Sequence, residues 1–74
     1  MIVFNSKKLK QILETRKLSY QKFSNQLKEK TGHTITSMGV WKLAMGMIKI
    51  PRTHTSLAIA KFFGTDINIW FLEK

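Results

Sequence analysis

The sequence predicts an all-α fold, a compact bundle of about five short helices in a single domain that spans residues 1–74. Three observations support it. Apolar residues recur at i, i+3, i+4 and i+7 through most of the chain. Ser, Thr, Asn or Asp residues stand where the N-caps of these segments belong, and glycines follow three of them. No segment shows the period-two alternation of a strand, except residues 1–4.

The first two helices have clear boundaries in the sequence. Asn5 is the expected N-cap of a helix at about 6–17. Ser19 is the expected N-cap of a second helix at about 20–31, which Gly32 ends. The apolar positions of these two helices are Leu9, Ile12, Leu13, Tyr20, Phe23 and Leu27.

The third helix covers residues 36–45, with Thr36 as its cap and Gly46 at the glycine position that follows a helix. A loop at 47–52 follows, and Pro51 closes it.

Two further helices complete the expected bundle. Thr53 or Thr55 caps the fourth helix, and Gly64 stops it. Thr65 or Asp66 caps a last short helix. Its apolar residues are Ile67, Ile69, Trp70, Phe71 and Leu72.

The third helix has two unlike faces. At about 100° per residue, Val40, Leu43 and Ala44 lie on one side, with Gly39 at its edge, and they suit a core. The opposite face carries large groups that a folded monomer has no obvious reason to expose. The residues of this second face are Ser37, Met38, Trp41, Lys42 and Met45.

The charge balance favours a polyanionic partner. Thirteen Lys and Arg residues face four acidic residues, which gives a net charge of +9 and a pI near 10.3. Nucleic acid and an anionic membrane both suit this excess, and a merely soluble basic surface is the alternative. No cysteine is present, which excludes disulfides and thiolate metal sites. No apolar run is long enough to span a bilayer, and the opening MIVF is too short for a signal peptide. A cytoplasmic protein is expected.

The chain resembles the phage lambda repressor and Cro superfamily of helix-turn-helix proteins. The segments that carry the resemblance are LKQILETRKLSYQKFSNQL (Leu9 to Leu27), ITSMGVWKLAMG (Ile35 to Gly46), Pro51, LAIAKFFG (Leu57 to Gly64) and the final Ile-Trp-Phe-Leu. No single segment is highly specific. Taken together in this order and spacing, the segments cover nearly the whole chain.

This sequence departs from the family pattern in two ways. Between Leu27 and Ile35 it has about six residues more than the commonest family spacing, and the extra EKTGHT lengthens the second helix and widens the turn. The family's third helix usually presents Gln, Arg, Ser and Asn to the bases. Here the outward face presents Met38, Trp41 and Met45, and its only polar residues are Ser37 and Lys42.

The resemblance implies that the third helix enters the major groove of double-stranded DNA and that the second lies across it. Expected base contacts are Ser37, Met38, Trp41 and Lys42, and expected phosphate contacts are Tyr20, Gln21, Lys49 and Arg52.

Several of these residues also have a simpler interpretation. Trp41 packs on thymine methyls if it contacts the groove, but it could instead lie in the core or on a protein-binding surface. Lys42 can donate to guanine O6 and N7 or to a phosphate. Solvation alone would also explain Ser37, Lys42 and the loop charges, and Tyr20 could cover the core.

A lone domain of this kind contacts few base pairs, so a homodimer on a palindromic operator is expected. The dimer surface must come from the ends of the chain. The candidates are Ile67, Ile69, Trp70 and Phe71, with residues 1–4 as the alternative.

Catalysis, metals and cofactors have little support in the sequence. His33 and His54 are separated by a whole helix, and no Cys or acidic residue has ligand spacing to them. The four acidic residues form no pair suited to acid–base work. The sequence therefore predicts a bacterial or phage DNA-binding regulator, a repressor, that is not an enzyme. The rivals are an antitoxin or antirepressor that binds a protein partner, and a basic amphipathic membrane binder.

Overall fold

Four α-helices make up most of the fold, and the two ends of the chain pair as a small sheet. The computed structural model describes residues 1–73. Its elements are β1 (Ile2–Phe4), α1 (Ser6–Thr15), α2 (Tyr20–Thr31), α3 (Ser37–Ala44), α4 (Thr53–Phe63), a 3-10 helix (Ile67–Trp70) and β2 (Phe71–Glu73). The expected all-α bundle is therefore confirmed as a mostly helical fold, but the absence of a sheet and the count of five helices were wrong.

The predicted starts of α1, α2 and α3 and the predicted ends of α2 and α4 follow from local chemistry that the structure reproduces, whereas α1 ends at Thr15 and not at about residue 17. The side chains of Asn5, Ser19 and Thr36 accept hydrogen bonds from the backbone N–H three residues later, at 3.2, 3.1 and 3.0 Å. Gly32 and Gly64 end α2 and α4 with φ of +76° and +65°, in the left-handed region that glycine adopts without a steric cost.

The predicted cap of α4 was wrong. The helix begins at Thr53 with Arg52 in the N-cap position, and no side chain caps it. Thr55 is instead buried in the first turn, where its hydroxyl lies 3.0 Å from Nε2 of His33. The hydroxyl therefore holds the connection after α2 rather than the start of its own helix.

No fifth α-helix follows Gly64 within residues 1–73. The Asp66 side chain caps a single 3-10 turn by accepting from the Asn68 N–H at 2.8 Å, as one of the two predicted caps. Phe71 and the two residues after it then extend as β2, antiparallel to β1, with Phe4 opposite Phe71. The pairing gives backbone groups at both chain ends hydrogen-bond partners.

Trp70 joins the two chain ends to the core. It has no exposed surface, and its ring stacks on Phe4 at 5.9 Å and on Phe63 at 5.4 Å between centroids. Its indole N–H donates to the Thr65 hydroxyl at 2.8 Å. The sequence placed Trp70 at a dimer seam, but this burial leaves no part of it for a second chain.

The hydrophobic core lies between all four helices and beneath the small sheet. Its larger members are Phe4, Leu9, Leu13, Phe23, Leu27, Val40, Leu43, Ile59, Phe62 and Trp70. Ile67 and Phe71 pack partly buried against it, so of the four expected dimer residues only Ile69 is exposed. None of the helices in residues 1–73 is long and apolar enough to cross a membrane.

Replacement of Trp70 by alanine should cost about 3–5 kcal/mol of unfolding free energy, because it removes a fully buried ring from an aromatic stack. Replacement of the neighbouring Ile69, which is 42% exposed, should cost only about 0.5 kcal/mol. Thermal unfolding followed by circular dichroism measures both. Equal losses in the two variants would contradict the burial of Trp70.

Candidate nucleic-acid interface

The two faces of α3 lie as the sequence predicts. Val40, Leu43 and Ala44 are buried in the core. On the opposite side, Met38 is 57% exposed, and Trp41 is 37% exposed. Met45 and Lys42 are also exposed, so the structure has an outward stripe of three large apolar side chains with one cation. Trp41 is not a core residue, although neighbouring side chains cover much of its surface.

The connection from α2 to α3, residues 32–36, is tied down at both ends. The buried Ser24 hydroxyl on α2 donates to the carbonyl oxygen of Ile35. The Thr31 hydroxyl accepts from the His33 N–H at 3.2 Å, and the His33 ring contacts Thr55 on α4. Residues 32–36 therefore form a link that holds α3 against α2.

A shallow groove of about 290 Å³ lies where α2 and α3 meet. It is lined by Tyr20 from the start of α2 and by Ser37, Met38 and Trp41 from α3. Tyr20 is half-buried and packs against the core, as the interpretation of Tyr20 as a core cover expects. The structure thus brings together one expected phosphate contact and three expected base contacts.

The N-termini of α2 and α3 converge at this groove. Ser19 caps only the N–H of Lys22, which leaves the N–H groups of Tyr20 and Gln21 without a partner in residues 1–73. Free N–H groups and the helix dipole make such a terminus attractive to anions. The Gln21 side chain is less available, because its amide donates to the Asn25 side chain at 3.1 Å.

The loop between α3 and α4 carries the other expected phosphate contacts. Lys49 and Arg52 are exposed, and neither side chain has a partner within residues 1–73. The Phe4 N–H donates to the Lys49 carbonyl at 2.7 Å, which fixes the loop to β1. Met47 and Ile50 are exposed in the same loop. The sequence interpretation missed them, although two large apolar residues in a polar loop were a visible signal.

Three of the thirteen Lys and Arg side chains lie over aromatic rings, where cation–π attraction holds them. These pairs are Lys8 with Trp70, Arg16 with Phe63 and Lys30 with Phe62, at 5.7, 4.9 and 5.0 Å from cation to ring centre. The only ion pair within residues 1–73 joins the Met1 amino group to Glu73. The cations near α3 therefore carry uncompensated charge.

The two histidines are closer than the sequence suggested. His33 and His54 line one open groove together with Lys61, on the side of α4 that faces the end of α2. No group of three or more His, Cys, Asp or Glu side chains within residues 1–73 could hold a metal ion.

Trp41→Ala should cost about 1 kcal/mol of unfolding free energy, well below the 3–5 kcal/mol of a buried tryptophan, because its outer face already contacts water. Chemical denaturation of this variant beside Trp70→Ala gives the comparison. A loss as large as that of Trp70→Ala would mean that Trp41 supports the core and is unavailable to a partner.

No family model, no curated protein and no solved structure matches this chain. The function must therefore be inferred from the residues and charges of the site.

Proposed function

We propose that this protein is a sequence-specific double-stranded DNA-binding regulator, a repressor, in which α2 and α3 form a helix-turn-helix and α3 enters the major groove. The observation that carries the proposal is the outward face of α3. It lies beside two helix N-termini that retain free N–H groups, on a chain of net charge +9, and its nearby cations have no acidic partners within residues 1–73. A polyanion with a groove wide enough for a helix satisfies both features.

The base contacts come from the α3 stripe. Lys42 donates to guanine O6 and N7, while the Ser37 hydroxyl, on the first turn, reaches a base or the backbone. Met38 and Trp41 supply van der Waals contact to base edges. In this arrangement the bases are recognised by van der Waals contact more than by hydrogen bonds.

Phosphate contacts come from the elements around the stripe. The free N–H groups at the start of α2 and the Tyr20 hydroxyl, which has no hydrogen bond within residues 1–73, bind one phosphate. Lys49 and Arg52 bind the backbone beside the loop. Gln21 joins them only by releasing Asn25.

A homodimer on a palindromic operator fits the small size of the domain. The two ends that the sequence offered as alternative dimer surfaces are one surface, because β1 and β2 pair. Its exposed apolar residues are Met1, Ile2, Ile69 and Leu72. We propose this end of the molecule as the dimer contact.

A second candidate is an antitoxin or antirepressor that binds a protein through the same face. Exposed Met38, Trp41 and Met45, continued by Met47 and Ile50 in the loop, form an apolar surface of the kind that partner proteins cover. In that case the face would bind a folded protein in preference to DNA.

Selection of bound duplexes from a random DNA library tests the proposal. We expect enrichment of an inverted repeat with half-sites about one helical turn, roughly 10 base pairs, apart. Enrichment of a single asymmetric site, with one chain per duplex in sedimentation, would contradict the dimer. No enrichment at all would contradict DNA reading and favour the protein partner.

Variants of the basic residues separate base reading from phosphate binding. Lys49→Ala and Arg52→Ala should weaken binding to selected and random DNA alike. Each should reduce the salt slope of the dimer by about 2, because one phosphate contact is lost in each protomer. Lys42→Ala should cost about 1–3 kcal/mol on selected DNA and much less on random DNA. Lys61→Ala, the same charge change in the groove beside His33, is the matched control and should have little effect.

Titration with salt completes this test. For a dimer with roughly six to eight phosphate contacts, log K should fall against log salt with a slope of about −5 to −7. A slope near zero would exclude a phosphate footprint. Equal losses from all three site variants on both DNAs would mean that Lys42 does not read a base.

A further inference from the structure

The outward face of α3 is poor in groups that form hydrogen bonds. Ser37 and Lys42 are its only polar side chains, since the Thr36 hydroxyl already caps the helix. The remaining positions are methionine and tryptophan. Base edges are usually distinguished by paired donors and acceptors, and this face offers too few of them to distinguish several base pairs.

The groove between α2 and α3 is apolar. Tyr20, Met38 and Trp41 supply its surface, and apolar atoms dominate that surface, with Ser37 as the small member of the lining. Tyr20 is held against the core, and neighbours cover part of Trp41. A shallow apolar depression with aromatic walls suits a small, compact apolar group.

The charge around the groove determines what carries that group. Two helix N-termini with free N–H groups adjoin it, and Lys42 lies in the same stripe. The occupant is therefore a small apolar group on a polyanion. In the major groove of DNA the C5-methyl of thymine is the apolar group among the base edges, and 5-methylcytosine carries a methyl at the same ring position.

We propose that this groove binds the 5-methyl groups of pyrimidines, those of thymine and of 5-methylcytosine alike, so that the protein reads the positions of methyl groups. The inference rests on the proposed DNA-binding function and names what the site recognises. Binding then responds to cytosine methylation, because methylation places the recognised group on a cytosine.

Replacement of thymine by uracil is the direct probe, because uracil differs from it only by the methyl group. Burial of one methyl is worth about a fourfold change in affinity. Two random duplex libraries, one made with thymine and one with uracil, are selected in parallel. The enriched duplex is then synthesised with single thymines changed to uracil and, at the same positions, with cytosine or 5-methylcytosine.

We expect a loss of about fourfold for uracil at each contacted position, and about the reverse gain when cytosine there is methylated. Random duplexes with thymine and with uracil should bind equally. Enrichment of the same sequence from both libraries with equal affinities would overturn methyl reading and leave DNA binding intact. No enrichment from either library would overturn the proposed function, and this inference with it.

Variants of the groove show whether the methyl preference comes from these residues. Trp41→Ala and Met38→Ala should bring the ratio of thymine to uracil affinities close to one. Met47→Ala, which removes an exposed methionine in the loop outside the groove, should keep the wild-type ratio. The ratio is insensitive to a fraction of unfolded protein, because both duplexes meet the same sample. An unchanged ratio in both groove variants would overturn the assignment.

Discussion

Burial of one face of α3 determines which of its side chains face outward in the candidate site. The helix has only two turns, so Val40, Leu43 and Ala44 supply almost all the apolar contact that holds it. Once these side chains enter the core, the 100° spacing leaves Met38 and Trp41 pointing outward. The hydrogen bond from Ser24 to the Ile35 carbonyl then fixes where the helix starts. The groove with Tyr20 is a consequence of that position.

The far end of the molecule also supports the site. Trp70 stacks on Phe4, and the Phe4 N–H holds the Lys49 carbonyl. The loop that carries Lys49 and Arg52 is thereby attached to the terminal sheet. A change in the aromatic stack would therefore move the loop charges as well as weaken the core. The same sheet offers the surface proposed for the dimer, which would link assembly to the position of the loop.

The excess of positive charge is accommodated in two ways that have different consequences. Lys8, Arg16 and Lys30 lie over core aromatics, where they cover apolar surface as well as gain electrostatic attraction. The cations around α3 have no such partners and repel one another. A bound polyanion would relieve that repulsion, which favours DNA over an uncharged protein surface as the occupant. The exposed apolar stripe also suits a protein partner, and the same selection experiment distinguishes the two occupants.

The sequence by itself determined the helices whose ends are set by local hydrogen bonds. Asn5, Ser19 and Thr36 cap their helices, and Gly32 ends α2, because these effects act within a few residues. The outward position of the α3 stripe also followed from periodicity alone. Tertiary contacts decided the rest. The last segment forms a strand because β1 lies beside it, and Trp70 is buried because Phe4 and Phe63 enclose it. The shared groove of Tyr20 and Trp41 also needed the packing of α2 against α3, since no local signal relates residues that far apart in the chain.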